Sequence, residues 1–315
     1  PGSMNPRQRQ AFCRLPLGLL NGSFGRKRTQ GLSTIVNSDP ETKSPRPYAF
    51  GNILFGGPCN QKCFFCIGQQ LHSSLSPRNH RTWPLTNIDK FIERMNATGT
   101  KRVILTGTTT DPQLYKHERR LVELLRNEIP GVHLSVHTNG LLALKKRTEF
   151  DLYDTATISI NSFNAETFRT IHGVKDMPNI KALVEDTRPS IKLSCILTPH
   201  NIDEVPSYLV HPSLCLLMSS QERAAQLGVK RVALRHLHDV ASGPLLLPTP
   251  APLNQLEPIR THADNPVYDV HGVEVTHWIF DKTDMASINL FADGTLSEDY
   301  LLDQAPGASP VRAME

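Results

Sequence analysis

Three cysteines lie within eight consecutive residues of this chain, and their spacing limits what the surrounding segment can do. The segment reads GGPCNQKCFFCIG from residue 56, so Cys59, Cys63 and Cys66 have the spacing C-x-x-x-C-x-x-C. Three thiolates on one short loop can bind three irons of a cubane cluster, whereas a fully protein-ligated four-iron cluster needs four cysteines. The fourth iron of such a cluster stays open, which suits chemistry rather than electron storage alone.

Other roles for these cysteines fit the sequence less well. A structural zinc site needs four ligands, commonly in two cysteine pairs, and the nearest candidate fourth ligand is His72, with no second pair. A disulfide framework is disfavoured because the chain has only 6 cysteines in 315 residues. Chance clustering of buried thiols explains three in so short a segment poorly. We therefore favour an iron–sulfur cluster.

The cysteine segment resembles the signature loop of the radical S-adenosylmethionine (radical SAM) enzymes, including the aromatic residue, Phe65, before the third cysteine. The resemblance implies that Cys59, Cys63 and Cys66 bind one 4Fe-4S cluster, whose open iron binds the amino and carboxylate groups of S-adenosylmethionine. It implies that Phe65 lies near the adenine. It also implies reductive cleavage of S-adenosylmethionine to a 5′-deoxyadenosyl radical that abstracts hydrogen from substrate, with the electron coming from a flavodoxin- or ferredoxin-type donor.

Composition sets broad limits on partners and location. The net charge is +4, from 34 basic and 30 acidic side chains, which is too small an excess to indicate nucleic-acid binding. No apolar run approaches the roughly twenty residues that a membrane-spanning helix needs. Sparse cysteines and an oxygen-sensitive cluster indicate a reducing compartment, so we expect a cytoplasmic protein.

Residues 1–48 are predicted to be a tag scar, Pro1-Gly2-Ser3, followed by a basic extension. Between residues 6 and 38 the extension contains six basic side chains and no acid. Such a composition resembles an organelle transit peptide. The segment has no clear amphipathic period, which favours a simple basic extension, and organelle targeting stays open as the alternative.

From residue 49 onward the pattern alternates short apolar strands with amphipathic helices. Strands are expected at 52–55, 102–106, 132–137, 156–160, 191–196 and 230–234, and helices at 87–97, 115–127, 165–171, 179–185 and 219–227. Short apolar strands joined by helices predict a parallel sheet with right-handed crossovers. The expected fold is α/β, a partial (β/α)6 TIM-like barrel over residues 49–244, with a full eight-fold barrel as the alternative. Residues 245–315 are predicted to be a proline-rich linker and a β-rich appendage that caps the barrel.

Ligands of such barrels lie at the carboxyl ends of the strands, so the residues after each strand are the candidate binding residues. After the second strand, Gly107, Thr108 and Thr109 take the place of the Gly-Gly-Glu-Pro type segment of radical SAM relatives, with Asp111 as the nearest acid. The resemblance implies that they hold the methionine part of the cofactor. Alternatively, the threonines cap the next helix.

Two further strand ends carry polar candidates. Ser159 and Asn161 alternate with apolar neighbours after the fourth strand, so one polar face can point into the barrel. The segment around them resembles the subgroup that includes the molybdenum-cofactor enzyme, in which such residues bind the nucleoside. Arg235 follows the sixth strand and could pair with the cofactor carboxylate or a substrate acid.

Cys195 in the fifth strand is a weak candidate for returning a hydrogen atom to a substrate radical, because such cysteines are more often small buried hydrophobes.

The resemblance implies a single-cluster enzyme, because no cysteine follows Cys215 and relatives with auxiliary clusters need more. We expect it to act on a small sugar, nucleoside or secondary-metabolite substrate in a biosynthetic pathway. An RNA-modifying radical SAM enzyme is the alternative within this class, and a non-catalytic iron–sulfur electron carrier is the alternative outside it. A stable cluster spectrum that does not respond to S-adenosylmethionine would favour the carrier.

Overall fold

The computed structural model describes residues 47–209, 227–239, 243–245, 247–279, 283 and 285–300. The predicted basic extension therefore lies almost entirely outside the described residues, and so does most of the helix predicted at 219–227. The strands are β1 (Phe50–Phe55), β2 (Arg102–Gly107), β3 (His133–Thr138), β4 (Thr155–Ser159), β5 (Ser190–Leu197), β6 (Arg231–Asp239), β7 (Gly243–Leu245), β8 (Arg260–His262), β9 (Asn265–Val270), β10 (Val273–Trp278), β11 (Ser287–Leu290) and β12 (Leu296–Ser297). The α-helices are α1 (Ile88–Ala97), α2 (Glu118–Glu128), α3 (Arg147–Phe150), α4 (Ala165–His172), α5 (Ile180–Asp186) and α6 (Val205–Leu209).

The strands form one open sheet in the order β12-β11-β1-β2-β3-β4-β5-β6-β10-β9-β8, with β7 paired to the end of β6. Every pairing from β11 through β1–β6 to β10 is parallel. The remaining pairings described are antiparallel. The fold class predicted from the sequence, a parallel α/β sheet of the partial TIM-barrel type, is confirmed.

The parallel part of the sheet is wider than the six strands expected. β10 pairs with β6, and β11 pairs with β1, so strands from the predicted appendage join both edges of the predicted barrel. The helix–strand alternation could not reveal them, because β10 follows β9 through a tight turn at His271-Gly272, where both residues have positive φ, rather than through a helix.

One face of the sheet is covered by helices, and alternate strand residues form the core with them. Helix α1 packs Phe91 and Met95 on this face, at a spacing that places both on one side of a helix. A Cβ on Gly51 would lie 2.6 Å from both side chains, so the absence of a side chain there lets α1 approach the sheet.

The opposite face is lined mainly by polar side chains near the carboxyl ends of the strands, and we call it the polar face. It consists of Thr106, His137, Thr157, Ser159, Lys192, Ser194, Arg235 and Trp278. In β4 the alternation is visible in burial, because Ala156 and Ile158 are buried whereas Thr155, Thr157 and Ser159 are half-buried. A binding surface therefore lies opposite the helices.

The side-chain amides of two asparagines link β1 to β11. The Asn52 Nδ2 atom donates to Asn289 Oδ1 at 2.8 Å, and Asn289 is 0% exposed. The Asn289 amide also donates to the carbonyl oxygen of Ser297 at 3.2 Å. The pair thus satisfies polar groups that water does not reach.

Replacing either asparagine should leave its partner buried without its main hydrogen bond. We expect Asn52→Ala and Asn289→Ala each to lower the free energy of unfolding by about 1–3 kcal/mol. The double variant should lose less than the sum, because the second substitution removes the group left unpaired. Urea unfolding of the four proteins measures this coupling.

The exposed Asn127 of α2 provides the control, since Asn127→Ala should stay within about 0.5 kcal/mol of the parent. Strict additivity of the Asn52 and Asn289 variants would contradict the prediction.

Candidate metal and cofactor site

The three cysteines lie on the loop that leaves the carboxyl end of β1. Cys59 is exposed, and Cys63 and Cys66 are half-buried. Residues from three other parts of the chain hold this loop in place through hydrogen bonds.

The first support is the threonine run after β2, which bonds the backbone leading to Cys59. The bonds are Thr108 Oγ1 to the Phe55 carbonyl (2.8 Å), the Gly57 N–H to Thr109 Oγ1 (3.1 Å), and Thr110 Oγ1 to the Pro58 carbonyl (2.6 Å). The side chains of Thr108 and Thr109, predicted as cofactor-binding residues, therefore position the cysteine loop. Their predicted contact with the cofactor, through the backbone, stays a prediction.

The same run supports the other end of the loop. The Cys66 thiol donates to the Thr108 carbonyl oxygen at 3.4 Å. A Cβ on Gly68 would lie 2.1 Å from that oxygen, and a Cβ on Gly107 would lie 1.5 Å from the Thr110 carbonyl oxygen. Only glycine fits at these two positions, because Gly68 packs against the backbone of the threonine run and Gly107 packs against the turn within that run.

The second support comes from the segment after β3. Asn139 Nδ2 donates to Asn60 Oδ1 at 2.7 Å, beside Cys59. Asp111 fixes this segment, because its carboxylate accepts from the Asn139 N–H at 2.7 Å and from the Thr138 hydroxyl. Asp111 is thus bonded within the protein, and any contact between its carboxylate and the cofactor stays a prediction.

The third support is the end of α4. The Lys62 N–H donates to the His172 carbonyl oxygen at 2.9 Å. The Nδ1 atom of His172 lies 3.3 Å from Cys63 Sγ and 3.0 Å from Gln61 Oε1. Since the amide oxygen of Gln61 only accepts, this network assigns the proton to Nδ1. Burial lowers the pKa of His172 to about 4, so the ring is a neutral donor toward the cysteine.

The thiols fit a polynuclear cluster. Burial, followed by the charges of Cys66 and Cys59, raises the pKa of Cys63 to about 12. Their charges therefore oppose one another, and they ionise together only when a cation binds and displaces their protons. Three thiolates can each bond a separate iron of a cubane, whereas a structural zinc ion needs four ligands, so the donor set suits iron–sulfur rather than zinc.

The predicted nucleoside residues both lie at the carboxyl end of β4, beside β5. Ser159 pairs in register with Ser194 of β5. Asn161 is buried, and its Oδ1 accepts from the Ile196 N–H at 2.9 Å. The Nδ2 atom of Asn161 is buried without a hydrogen-bond partner among the described residues. It is a donor available to a bound molecule.

Cys195 lies on the other side of the sheet from the polar face. It is 1% exposed and belongs to the hydrophobic core against the helices. Burial raises the pKa of its thiol. This position supports the structural alternative and argues against the hydrogen-donor role.

The polar face carries three basic side chains that sequence reasoning only partly identified. His137, Lys192 and Arg235 come from β3, β5 and β6. The Arg235 guanidinium lies 5.5 Å from the centre of the Trp278 ring, a distance that allows a cation–π contact. Arg235 was predicted, whereas Lys192 and His137 were not. The period-two alternation of polar residues in β5 was the signal for Lys192.

The charges of the basic side chains shift one another's pKa values. Burial, followed by Arg235, Arg231 and Arg102, lowers the pKa of Lys192 from 10.5 to about 8. Burial, followed by Arg235, Lys192 and Arg102, lowers the pKa of His137 to about 3. Burial lowers the pKa of Arg235 to about 10. The polar face thus bears positive charge that its surroundings disfavour.

The charge on Lys192 should lower the free energy of unfolding of the protein. Because its folded pKa lies below the unfolded value, the cost is complete below about pH 8 and fades as the pH rises toward 10.5. We expect Lys192→Met to raise the free energy of unfolding at pH 7 by at most about 3 kcal/mol. The gain should shrink by pH 9.5, as measured by urea unfolding at both pH values.

The same change at exposed Lys181 of α5 serves as the control, and it should have little effect at either pH. A Lys192→Met variant that is less stable than the parent at pH 7 would contradict the assignment.

No helix among the described residues has both the length and the apolar composition to cross a membrane. No curated protein sequence matches the chain. Solved structures similar to it include SuiB of Streptococcus suis bound to the precursor peptide SuiA, at 13% identity and a TM-score of 0.46, covering 62% of this chain and 40% of that one. Another is anSMEcpe with bound AdoMet, at 14% identity and a TM-score of 0.42, covering 61% of this chain and 52% of that one. The chain thus spans less than two thirds of the length of these proteins.

The family comparison agrees with the geometry of the cysteine loop. Residues 53–205, from β1 to the start of α6, match the model of the radical SAM superfamily. This range includes all three cysteines and every support of their loop. The cofactors are a 4Fe-4S cluster and S-adenosylmethionine, and the donor set described above fits them. Residues 53–205 therefore form a radical SAM domain.

Proposed function

We propose that this protein is a radical SAM enzyme that cleaves S-adenosylmethionine reductively and acts on a small molecule bound at the polar face. The observation that carries the proposal is the presence of three thiols on one short loop that hydrogen bonds hold at the carboxyl ends of the strands. When bound, the cluster and S-adenosylmethionine supply a 5′-deoxyadenosyl radical that abstracts hydrogen from substrate. The chain itself ligates, orients and excludes water.

The residues proposed to bind S-adenosylmethionine come from the cysteine loop, from the carboxyl ends of β2 and β4, and from β6. They are Phe65, Gly107, Thr108, Thr109, Ser159, Asn161 and Arg235. Asn161 is supported by its unpartnered buried Nδ2, which can donate to a hydroxyl or carboxylate oxygen. Phe65 contacts the ring of His172 edge-on, with centroids 6.1 Å apart, and so belongs to the same packed group as Cys63.

The C-terminal region is proposed to cap the barrel beside the cysteine loop. Phe291 is buried with Leu54 and Leu71 in a small hydrophobic cluster against which Tyr300 packs. The Tyr300 pKa is raised by burial and then by the charge of Cys66, so this tyrosine lies close to a ligand cysteine. Such a cap would keep water from a radical reaction.

A sugar, nucleoside or secondary-metabolite intermediate is the proposed substrate class, and a flavodoxin or ferredoxin is the proposed electron donor. Whether the enzyme acts as an oxidoreductase or a lyase depends on the fate of the substrate radical, and product analysis would decide it.

Anaerobic reconstitution should give about four irons per chain, the content of one cubane. Replacing Cys59, Cys63 or Cys66 with alanine should abolish the cluster, because each thiolate bonds a different iron. Iron analysis and the visible absorption spectrum measure the loss. With dithionite and S-adenosylmethionine, the parent protein should form 5′-deoxyadenosine without substrate.

Cys195→Ala is the matched control, since that thiol lies in the core, and it should keep full iron. Full iron in all three loop variants would refute the assignment, and a reduced cluster that leaves S-adenosylmethionine intact would favour the electron carrier.

The hydrogen bond from His172 to Cys63 should raise the reduction potential of the cluster, because a donor to sulfur stabilises the more electron-rich state. His172→Phe keeps an aromatic ring against Phe168, on which His172 stacks at 4.2 Å, but removes the donor. We expect the midpoint potential to fall by about 20–60 mV, the equivalent of one net hydrogen bond for a one-electron couple. Redox titration followed by electron paramagnetic resonance measures it.

Phe168→Leu disturbs the packing while keeping the donor, and it should leave the potential near that of the parent. Equal shifts in both variants would assign the effect to packing.

A further inference from the structure

The positive charge of the polar face is concentrated on β5 and β6, beside the neutral His137 of β3. In the sheet register, His137 and Lys192 lie on either side of Thr157. Arg235 pairs with Ile196, four residues further along β5, so it lies nearer the carboxyl end of the sheet. The three side chains therefore line one stretch of the face, from its middle to its rim.

No negative charge compensates this stretch within the described residues. The charges that act on Lys192 are all positive, from Arg235, Arg231 and Arg102. The acid nearest in register, Glu274, forms an ion pair with Arg260 at 3.0 Å. The Nε atom of Arg235 is buried and lacks a hydrogen-bond partner among the described residues. Unpaired buried charge is costly, which indicates that a bound anion completes the site.

S-adenosylmethionine does not supply enough negative charge to do this. At neutral pH it carries a sulfonium and an ammonium group against one carboxylate, so it brings net positive charge. Even if its carboxylate pairs with Arg235, Lys192 keeps its charge beside Arg231 and Arg102. The remaining anion must come from another molecule.

We propose that the substrate carries a phosphate or carboxylate group, which binds on the polar face against Lys192 and Arg235. This inference rests on the proposed function, because it assigns a ligand to the substrate side of that site. Arginine offers a planar pair of donors and lysine a compact charge, a combination that suits either anion. His137, which is neutral, adds one N–H donor. Trp278 covers the guanidinium and limits its access to water.

The test titrates inorganic phosphate or acetate into the reconstituted protein saturated with S-adenosylmethionine, by anaerobic calorimetry at constant ionic strength. The parent should bind at least one of the two anions, and the preferred one identifies the substrate group. Lys192→Met should weaken that binding about tenfold or more, the loss of one charge-assisted hydrogen bond. Lys181→Met, on the exposed surface of α5, should bind the anion as the parent does.

The affinity for S-adenosylmethionine, measured on the same variants, separates the two sources of an anionic group. An unchanged affinity in Lys192→Met supports a substrate site, and an equal loss for cofactor and anion would overturn it. Binding of neither anion by the parent, or equal binding by the parent and Lys192→Met, would also overturn it. Formation of 5′-deoxyadenosine by the parent tests the proposed function separately, so anion binding without cleavage would leave the anion site standing and reject the enzyme.

Discussion

The cysteine loop is fixed by hydrogen bonds to segments that follow other strands, and this attachment determines how the site can work. A loop of eleven residues with three half-buried or exposed thiols has many conformations, and ordering it costs free energy. Thr108, Thr109 and Thr110 each offset part of that cost through a bond to the backbone before Cys59. Because those threonines directly follow β2, the positions of the thiols are tied to the rigid sheet rather than to the loop.

Part of this arrangement could be predicted from the sequence. The cysteine spacing predicted metal ligands on the loop after β1, and this assignment stays a prediction. Alternating apolar strands and amphipathic helices predicted β1–β5 with boundaries within about two residues, whereas β6 extends five residues beyond its predicted end. The C-terminal region was predicted to be β-rich, but the pairing of β10 with β6 and of β11 with β1 was not, because parallel pairing between distant segments leaves no local pattern. The threonine run was recognised as a strand-end segment, but its side chains were expected near the cofactor rather than against the loop. Which oxygen a threonine bonds depends on tertiary contacts, and sequence spacing does not encode those contacts.

Lys192 shows a different limit of prediction from sequence. The sequence Ser190-Ile191-Lys192-Leu193-Ser194 alternates polar and apolar residues, so the lysine could have been assigned to the polar face. The alternation does not predict which charges surround Lys192. Arg231 and Arg235 come from β6, and Arg102 comes from β2. A lysine on an isolated strand would keep its usual pKa, but three nearby arginines help to lower the pKa of Lys192. The electrostatic character of the face is therefore a property of the topology.

The pairing of β1 with β11 has a consequence for how the chain matures. Asn52 and Asn289 meet across 237 residues of sequence, so a ribosome must extend the chain by that length before β1 gains its outer neighbour. Until then, β1 has an unpaired hydrogen-bonding edge, and an exposed edge of this kind promotes pairing with other chains. Contacts of such long range also form slowly. Cluster insertion into the loop that follows β1 would thus compete with aggregation of the incompletely formed sheet. Slower growth of the expression culture at lower temperature should favour the protein with its cluster bound.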